Sequence, residues 1–268
     1  MRAFSDEELE RYSRHILLQD VGIEGQEKIM DASVLIIGAG GLGSPIALYL
    51  AAAGVGRIGL VDGDVVDLSN LQRQVIHTTA EVGTPKVLSA KRKIEAINPH
   101  VHVETYQTMV DASNIVELVS KYDFIIDGTD NFSAKFLIND ACVVAKKPYS
   151  HGGILRFGGQ TMTIAPHESA CYACVFDAPP PANAVPTCSS AGILGAVAGM
   201  LGTIQATEAL KYITGVGELL HNKLLSFDAK TMQFRTINLA KNPACRVCGG
   251  TGITHVRDYE AVVCEMKR

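Results

Sequence analysis

Between residues 33 and 62 the chain reads as one continuous structural statement. Ser33-Val34-Leu35-Ile36-Ile37 is a β-branched apolar run. Gly38-Ala39-Gly40-Gly41-Leu42-Gly43 follows, then an Ala- and Leu-rich stretch from Ser44 to Ala53, a Gly54-Val55-Gly56 stop, and Arg57-Ile58-Gly59-Leu60-Val61-Asp62. A short run with no polar alternation is what a parallel strand buried on both faces requires. Strand, glycine turn, helix and strand in that order make a βαβ unit. The turn fits the G-x-G-x-x-G pattern. Its glycines allow a tight bend and close backbone approach, and the helix behind it offers unpaired N–H groups to a phosphate. Gly38, Gly40, Gly41, Leu42 and Gly43 are therefore candidate nucleotide contacts. Asp62, ending the second strand, stands where a ribose hydroxyl is held in such units.

The alternation continues. Helices are predicted over 85–97, 112–120 and 132–145, and strands over 101–106, 124–127 and 148–151, which argues for a doubly wound, mostly parallel, Rossmann-like α/β sheet. Ahead of it, Ser5-Asp6-Glu7-Glu8 reads as a capping box opening a helix that carries Arg11-Tyr12-Ser13-Arg14-His15, and a second short helix is expected near 24–30. After Gly152 the pattern changes to strands over 159–165, 223–228 and 233–238, an antiparallel C-terminal extension, with a glycine-studded helix over 191–213 between them. The expected organisation is an N-terminal helical arm (1–30), a Rossmann-like domain (31–240) with a crossover loop at about 175–190, and a C-terminal tail (241–268).

The residues after Asp62 discriminate between nucleotides. Asp62-Gly63-Asp64 opens a long polar loop containing Leu68-Ser69-Asn70-Leu71-Gln72-Arg73-Gln74, and Lys86 starts the next helix. Two cations, Arg73 and Lys86, beside one phosphate loop suit a triphosphate better than the less charged pyrophosphate of NAD. Each alone reads equally well as a surface ion pair or a solvated helix start. Asp130, in Asp127-Gly128-Thr129-Asp130-Asn131, lies just beyond the fourth parallel strand, where open α/β sheets bind ligands. A carboxylate there can hold Mg2+ bridging phosphate oxygens; the competing role is an N-cap for the helix at Phe132.

Two C-x-x-C turns, Cys171-Tyr172-Ala173-Cys174 and Cys245-Arg246-Val247-Cys248, supply a closed set of four thiolates for a structural Zn2+ that staples the tail to the middle of the chain. A redox pair is the weaker alternative, since neither turn follows an early thioredoxin-like pattern. Cys188, between the proline loop and the glycine-studded helix, is a candidate nucleophile or an ordinary half-buried loop cysteine. The glycines at 192, 195, 199 and 202 point to close helix packing.

Composition excludes several functions. A net charge of -4 with 6% aromatics and no Trp argues against nucleic-acid binding. The apolar stretches 34–61 and 191–206 are too glycine-rich or too short to span a membrane. Met1 to Glu10 carries no signal-peptide core, so a cytoplasmic location is expected.

The glycine loop with Ser44, the 68–74 block, Lys86, Asp130-Asn131 and both cysteine turns together resemble the E1-like adenylyltransferases. That family is the ubiquitin-activating enzyme superfamily with its bacterial MoeB, ThiF and HesA branches, and the match is best to the MoeB type. The resemblance runs from Arg11 to Asp258-Tyr259-Glu260. It implies a homodimer that binds Mg2+ and ATP and adenylates the C-terminal Gly-Gly carboxylate of a ubiquitin-like sulfur carrier, releasing pyrophosphate. It further implies that Gly38 to Gly43, Asp62, Asp64, Ser69, Asn70, Arg73, Gln74, Lys86, Asp130 and Asn131 attend the nucleotide and metal. Arg14 would serve the partner subunit's phosphates. Some members link the carrier covalently through a cysteine at the position of Cys188. With about twenty residues after Cys248, a separate sulfur donor is expected. The carrier's pathway is left open between molybdenum cofactor, thiamine, cysteine and a secondary metabolite. An NAD-dependent dehydrogenase and a non-catalytic zinc-stapled scaffold are the competing readings.

Overall fold

The computed structural model describes residues 3–180, 191–250 and 252–259. Eight strands form one sheet in the order β3-β2-β1-β4-β5-β6-β7-β8. The parallel half comprises β1 (Ser33–Ile37), β2 (Arg57–Val61), β3 (His102–Tyr106), β4 (Phe124–Asp127) and β5 (Tyr149–Leu155). β6 (Gly158–Ile164), β7 (Lys223–Asp228) and β8 (Gln233–Asn238) extend it antiparallel. Every residue of β1 is buried, as its unbroken apolar run requires.

Three helices precede the sheet: α1 (Asp6–Arg11), α2 (Ser13–Ile16) and α3 (Gly22–Asp31). The capping box at Ser5 and Glu8 is formed. The single helix expected through His15 is broken at Tyr12. That ring is buried against Gly54, and its hydroxyl accepts a hydrogen bond from Asn98 Nδ2 at 2.8 Å. A long-range contact thus overrides local helical propensity.

The crossover helices are α4 (Gly43–Ala53), α5 (Lys86–Ile97), α6 (Ile115–Ser120) and α7 (Phe132–Ala145). α6 starts three residues later than expected, because the Asp111 carboxylate accepts from the N–H groups of Ser113 and Asn114 and holds that stretch in a turn. β5 runs four residues past the expected His151, since β6 pairs with it out to Leu155. After the short α8 (Tyr172–Val175), the long α9 (Gly195–Thr214) crosses the sheet beside α4. α9 begins at Gly195 rather than Ala191: Gly192 has a positive φ of 75° and precedes an extended segment. A Cβ on Gly202 would lie 2.7 Å from the Leu42 carbonyl and one on Gly195 2.2 Å from the Gln72 carbonyl, so these two glycines serve close packing, whereas Gly192 and Gly199 have nothing within 4 Å.

Two apolar layers flank the sheet. One gathers α4, α5 and α9 around Val34, Ile36 and Leu60; the other gathers α6, α7 and the cysteine turns around Leu35, Ile37 and Ile125. The sheet order reverses at β1, with β2 on one side and β4 on the other. The carboxyl ends of β1 and β4 therefore face a crevice, the usual ligand position of a doubly wound sheet. Among the described residues no helix is long and apolar enough to cross a membrane.

Candidate nucleotide and metal sites

A cavity of about 310 Å3 opens at that crevice, within the size range of small-molecule sites. Its floor is the glycine loop. Gly38 has φ +98°, and a Cβ there would meet the Gly128 carbonyl at 2.8 Å; a Cβ on Gly43 would stand 1.9 Å from the Gly38 carbonyl. Only glycine permits both the bend and the contact between the β1 and β4 loops. Two polar tethers hold the loop. The Ala39 N–H donates to Asp62 Oδ2 at 2.8 Å, and the buried His77 bridges the Ala39 carbonyl (Nε2, 2.9 Å) to Ser89 Oγ on α5 (Nδ1, 2.8 Å). Burial lowers the His77 pKa, which suits a neutral ring between two neutral partners.

Gly38, Gly40, Gly41, Leu42, Asp62, Asp64, Arg73, Gln74, Lys86, Asp130 and Asn131 all border this cavity. Lys86 is only 6% exposed. Its ammonium lies 2.8 Å from Asp64 Oδ2 and 3.9 Å from Asp62 Oδ1. Arg73 Nη1 donates to the Ser69 carbonyl at 3.1 Å. Two cations and a glycine-loop backbone thus share one small volume, an arrangement matched to a polyphosphate.

Several expected residues stand elsewhere. Gly43 lies beneath the cavity rather than in its lining, and Ser69 and Asn70 do not border it. The 68–70 segment instead forms a 3-10 turn capped by Asp67. The N-cap of α7 is Asn131, whose side chain accepts from the Ala134 N–H. The cap leaves Asp130 exposed at the cavity mouth. Arg14 is exposed on α2 and does not line the cavity. Cys188 lies outside the described residues.

Beneath the Gly128–Asp130 loop sits a buried polar cluster with no sequence forecast. Asp127, fully buried at the end of β4, accepts from Lys135 Nζ at 3.0 Å and from His151 Nδ1 at 3.0 Å. Its other oxygen accepts from the Thr129 N–H and hydroxyl. Lys135 also donates to the carbonyls of Thr129 and Gly152. Burial alone would raise the Asp127 carboxyl, but the Lys135 charge and the His151 hydrogen bond outweigh it and hold the pKa below the usual carboxylate range. Gln205 on α9 donates to the Asp127 carbonyl at 2.9 Å. The loop that carries Asp130 is therefore fixed from below by β4, β5, α7 and α9 at once. An aspartate closing an apolar strand, and one lysine in an otherwise apolar stretch of α7, were the available signals.

The second centre is the cysteine cluster. Sulfurs of Cys171, Cys174, Cys245 and Cys248 lie within 4.8 Å of one another, with pairs at 3.8, 3.7 and 3.4 Å. Those separations are far beyond a disulfide and close to the sulfur–sulfur edge, about 3.8 Å, of a tetrahedron with 2.3 Å metal–sulfur bonds. All four are free thiols, and three are buried. The donor set fits a closed Zn2+ site, which would join the α8 turn to the 245–248 turn and leave no position for substrate.

Comparison with known proteins identifies the family. The chain is 48% identical over 262 residues to the probable adenylyltransferase/sulfurtransferase MoeZ of Mycobacterium tuberculosis; the match takes in 96% of this chain but 66% of MoeZ, so the chain spans just under two thirds of that relative. It is 44% identical over 264 residues to a sulfur carrier protein adenylyltransferase of Thermus thermophilus, covering 96% of this chain and 97% of that protein. The crystal structure of Escherichia coli MccB with ATP superposes with a TM-score of 0.78 at 25% identity, over 89% of this chain and 73% of that one. The ThiF family pattern spans residues 12–247, a stretch holding the glycine loop, both cavity cations, Asp130 and three of the four clustered cysteines: the chain belongs to the ThiF family.

Proposed function

We propose that this protein uses ATP to adenylate the C-terminal glycine carboxylate of a ubiquitin-like sulfur carrier. The observation that carries the proposal is the meeting of the glycine loop, Arg73, Lys86 and Asp130 in one cavity at the β1–β4 crevice. The Thermus relative named for this activity matches along almost its whole length.

The carrier carboxylate is ionised at neutral pH, so its oxygen needs no base to attack the α-phosphorus. A bond forms between that oxygen and the phosphorus, the α–β phosphoanhydride bond breaks, and pyrophosphate leaves with the electron pair. The obstacle is repulsion between two anions. Arg73 and Lys86 offset it and stabilise the charge growing on the leaving group. Lys86 is held ready by Asp62 and Asp64, so incoming phosphates replace carboxylates as its partners. Asp130 would hold Mg2+, which when bound neutralises phosphate charge. Arg14, exposed on α2, is available to a second subunit of a homodimer. The acyl-adenylate would then pass to a separate sulfur donor.

The test is carrier-dependent exchange of labelled pyrophosphate into ATP. Lys86→Ala should lower the exchange rate by about two to three decades, and Asp130→Ala should lower it with a raised Mg2+ requirement. Exchange that survives both substitutions would remove the reading.

A further inference from the structure

The tail beyond the second cysteine turn belongs to the nucleotide cavity. We propose that Asp258 and Tyr259 form the wall that takes the purine end of ATP, and so act as specificity-determining residues; the proposal rests on the adenylation reading above.

The cavity lining draws on two unlike sets of residues. One is built from the glycine loop, Arg73, Gln74, Lys86 and Ala198, and carries both lining cations. The other is built from Val61, the Thr108–Val110 segment after β3, Leu137 on α7, and the tail residues Asp258 and Tyr259. Val61, Val110, Leu137 and Tyr259 belong to a single apolar layer, distinct from the one beneath the cations. Phosphates seek the cationic set. A flat, largely apolar heteroaromatic ring then has the second set left to it, where it meets aliphatic groups and the Tyr259 ring.

The tail is held there by specific bonds. The Tyr259 hydroxyl donates to Asp140, which is 2% exposed, and accepts from Arg246 Nη1 at 2.8 Å. Its ring packs on Phe136 of α7 at 5.4 Å between centroids. Asp258 Oδ1 accepts from the Ala112 N–H at 2.8 Å and so clamps the 108–112 segment, which supplies Met109 and Val110 to the same wall. Arg246 lies inside the second cysteine turn, so the turn that gathers the thiols also anchors this wall.

Calorimetric titration of the full-length protein with ATP and, separately, with inorganic triphosphate isolates the base end. Tyr259→Ala should weaken ATP about tenfold while leaving inorganic triphosphate within about twofold. Asp258→Ala, which leaves the Tyr259 bridge intact, should weaken ATP several-fold with the same selectivity. Nucleotide-free melting curves identify a variant that has lost its fold; should Tyr259→Ala do so, Asp258→Ala carries the test. ATP affinity unchanged in the folded variants, or equal losses for both probes, would overturn the inference. Failure of the unaltered protein to bind either probe would instead refute the adenylation reading.

Discussion

Replacing Lys135 by Met tests the support beneath the Gly128–Asp130 loop. The side chain is 6% exposed and Asp127 is fully buried. The substitution keeps most of the volume and removes three bonds, to Asp127, the Thr129 carbonyl and the Gly152 carbonyl. Breaking one partner of a buried pair leaves an uncompensated charge, which costs about 3–5 kcal/mol. With an unfolding entropy of about 2.1 cal/mol/K per residue, that loss lowers the melting temperature of a chain this long by roughly 5–9 °C. The pH dependence has a definite sign. In the native protein the Asp127 pKa is depressed, so its stabilisation is complete above the unfolded value of about 3.9 and fades only as pH falls through the lower folded value. Without the Lys135 charge, burial is opposed only by His151 and Thr129, and the Asp127 pKa rises. The gap between the two proteins is therefore largest near neutrality and narrows as pH falls toward 4. The double variant Asp127→Asn/Lys135→Met should be more stable than the sum of the single losses by about 1–3 kcal/mol. Thermal melts from pH 4 to 8 read all of this. A Lys135→Met protein melting within about 1 °C of the native one, or a pH-independent gap, would refute the argument.

Glycine contacts give a matched pair of outcomes. Gly43→Ala drives a Cβ into the Gly38 carbonyl and should abolish ATP binding with a clear loss of stability. Gly199→Ala, on α9 with nothing within 4 Å, should instead raise the melting temperature by about 1–2 °C. Equal effects in the two melts would contradict the contact geometry. Elemental analysis should find one zinc per chain, reduced well below half in Cys174→Ala; an unchanged zinc content in that variant would disprove the four-sulfur site.

Local signals were read where local physics decides the outcome. Strands β7 and β8 have the bounds that their sequences predict, and β1, an unbroken apolar run ended by Gly38, does too. The cysteine cluster was legible from spacing alone. Pairings set by register were not. Asp127 and His151 are direct partners across β4 and β5, a juxtaposition that exists only once the strand order is known. The break at Tyr12 follows from a hydrogen bond to Asn98, 86 residues away. Asn131, and not Asp130, caps α7, a choice between adjacent residues that propensity does not make. The tail was legible as stapled but not as part of the cavity, since Asp258 reaches Ala112 across 146 residues of sequence.

The central claim is that ATP is cleaved between its α and β phosphates by a carrier carboxylate. Mixing the purified protein with Mg-ATP and a carrier ending in Gly-Gly, then weighing the carrier and identifying the released phosphate species, tests it directly. The account predicts a carrier heavier by one adenylyl group (AMP less a water), with one pyrophosphate released per adenylate formed. Release of ADP and orthophosphate, with the carrier mass unchanged, would contradict it.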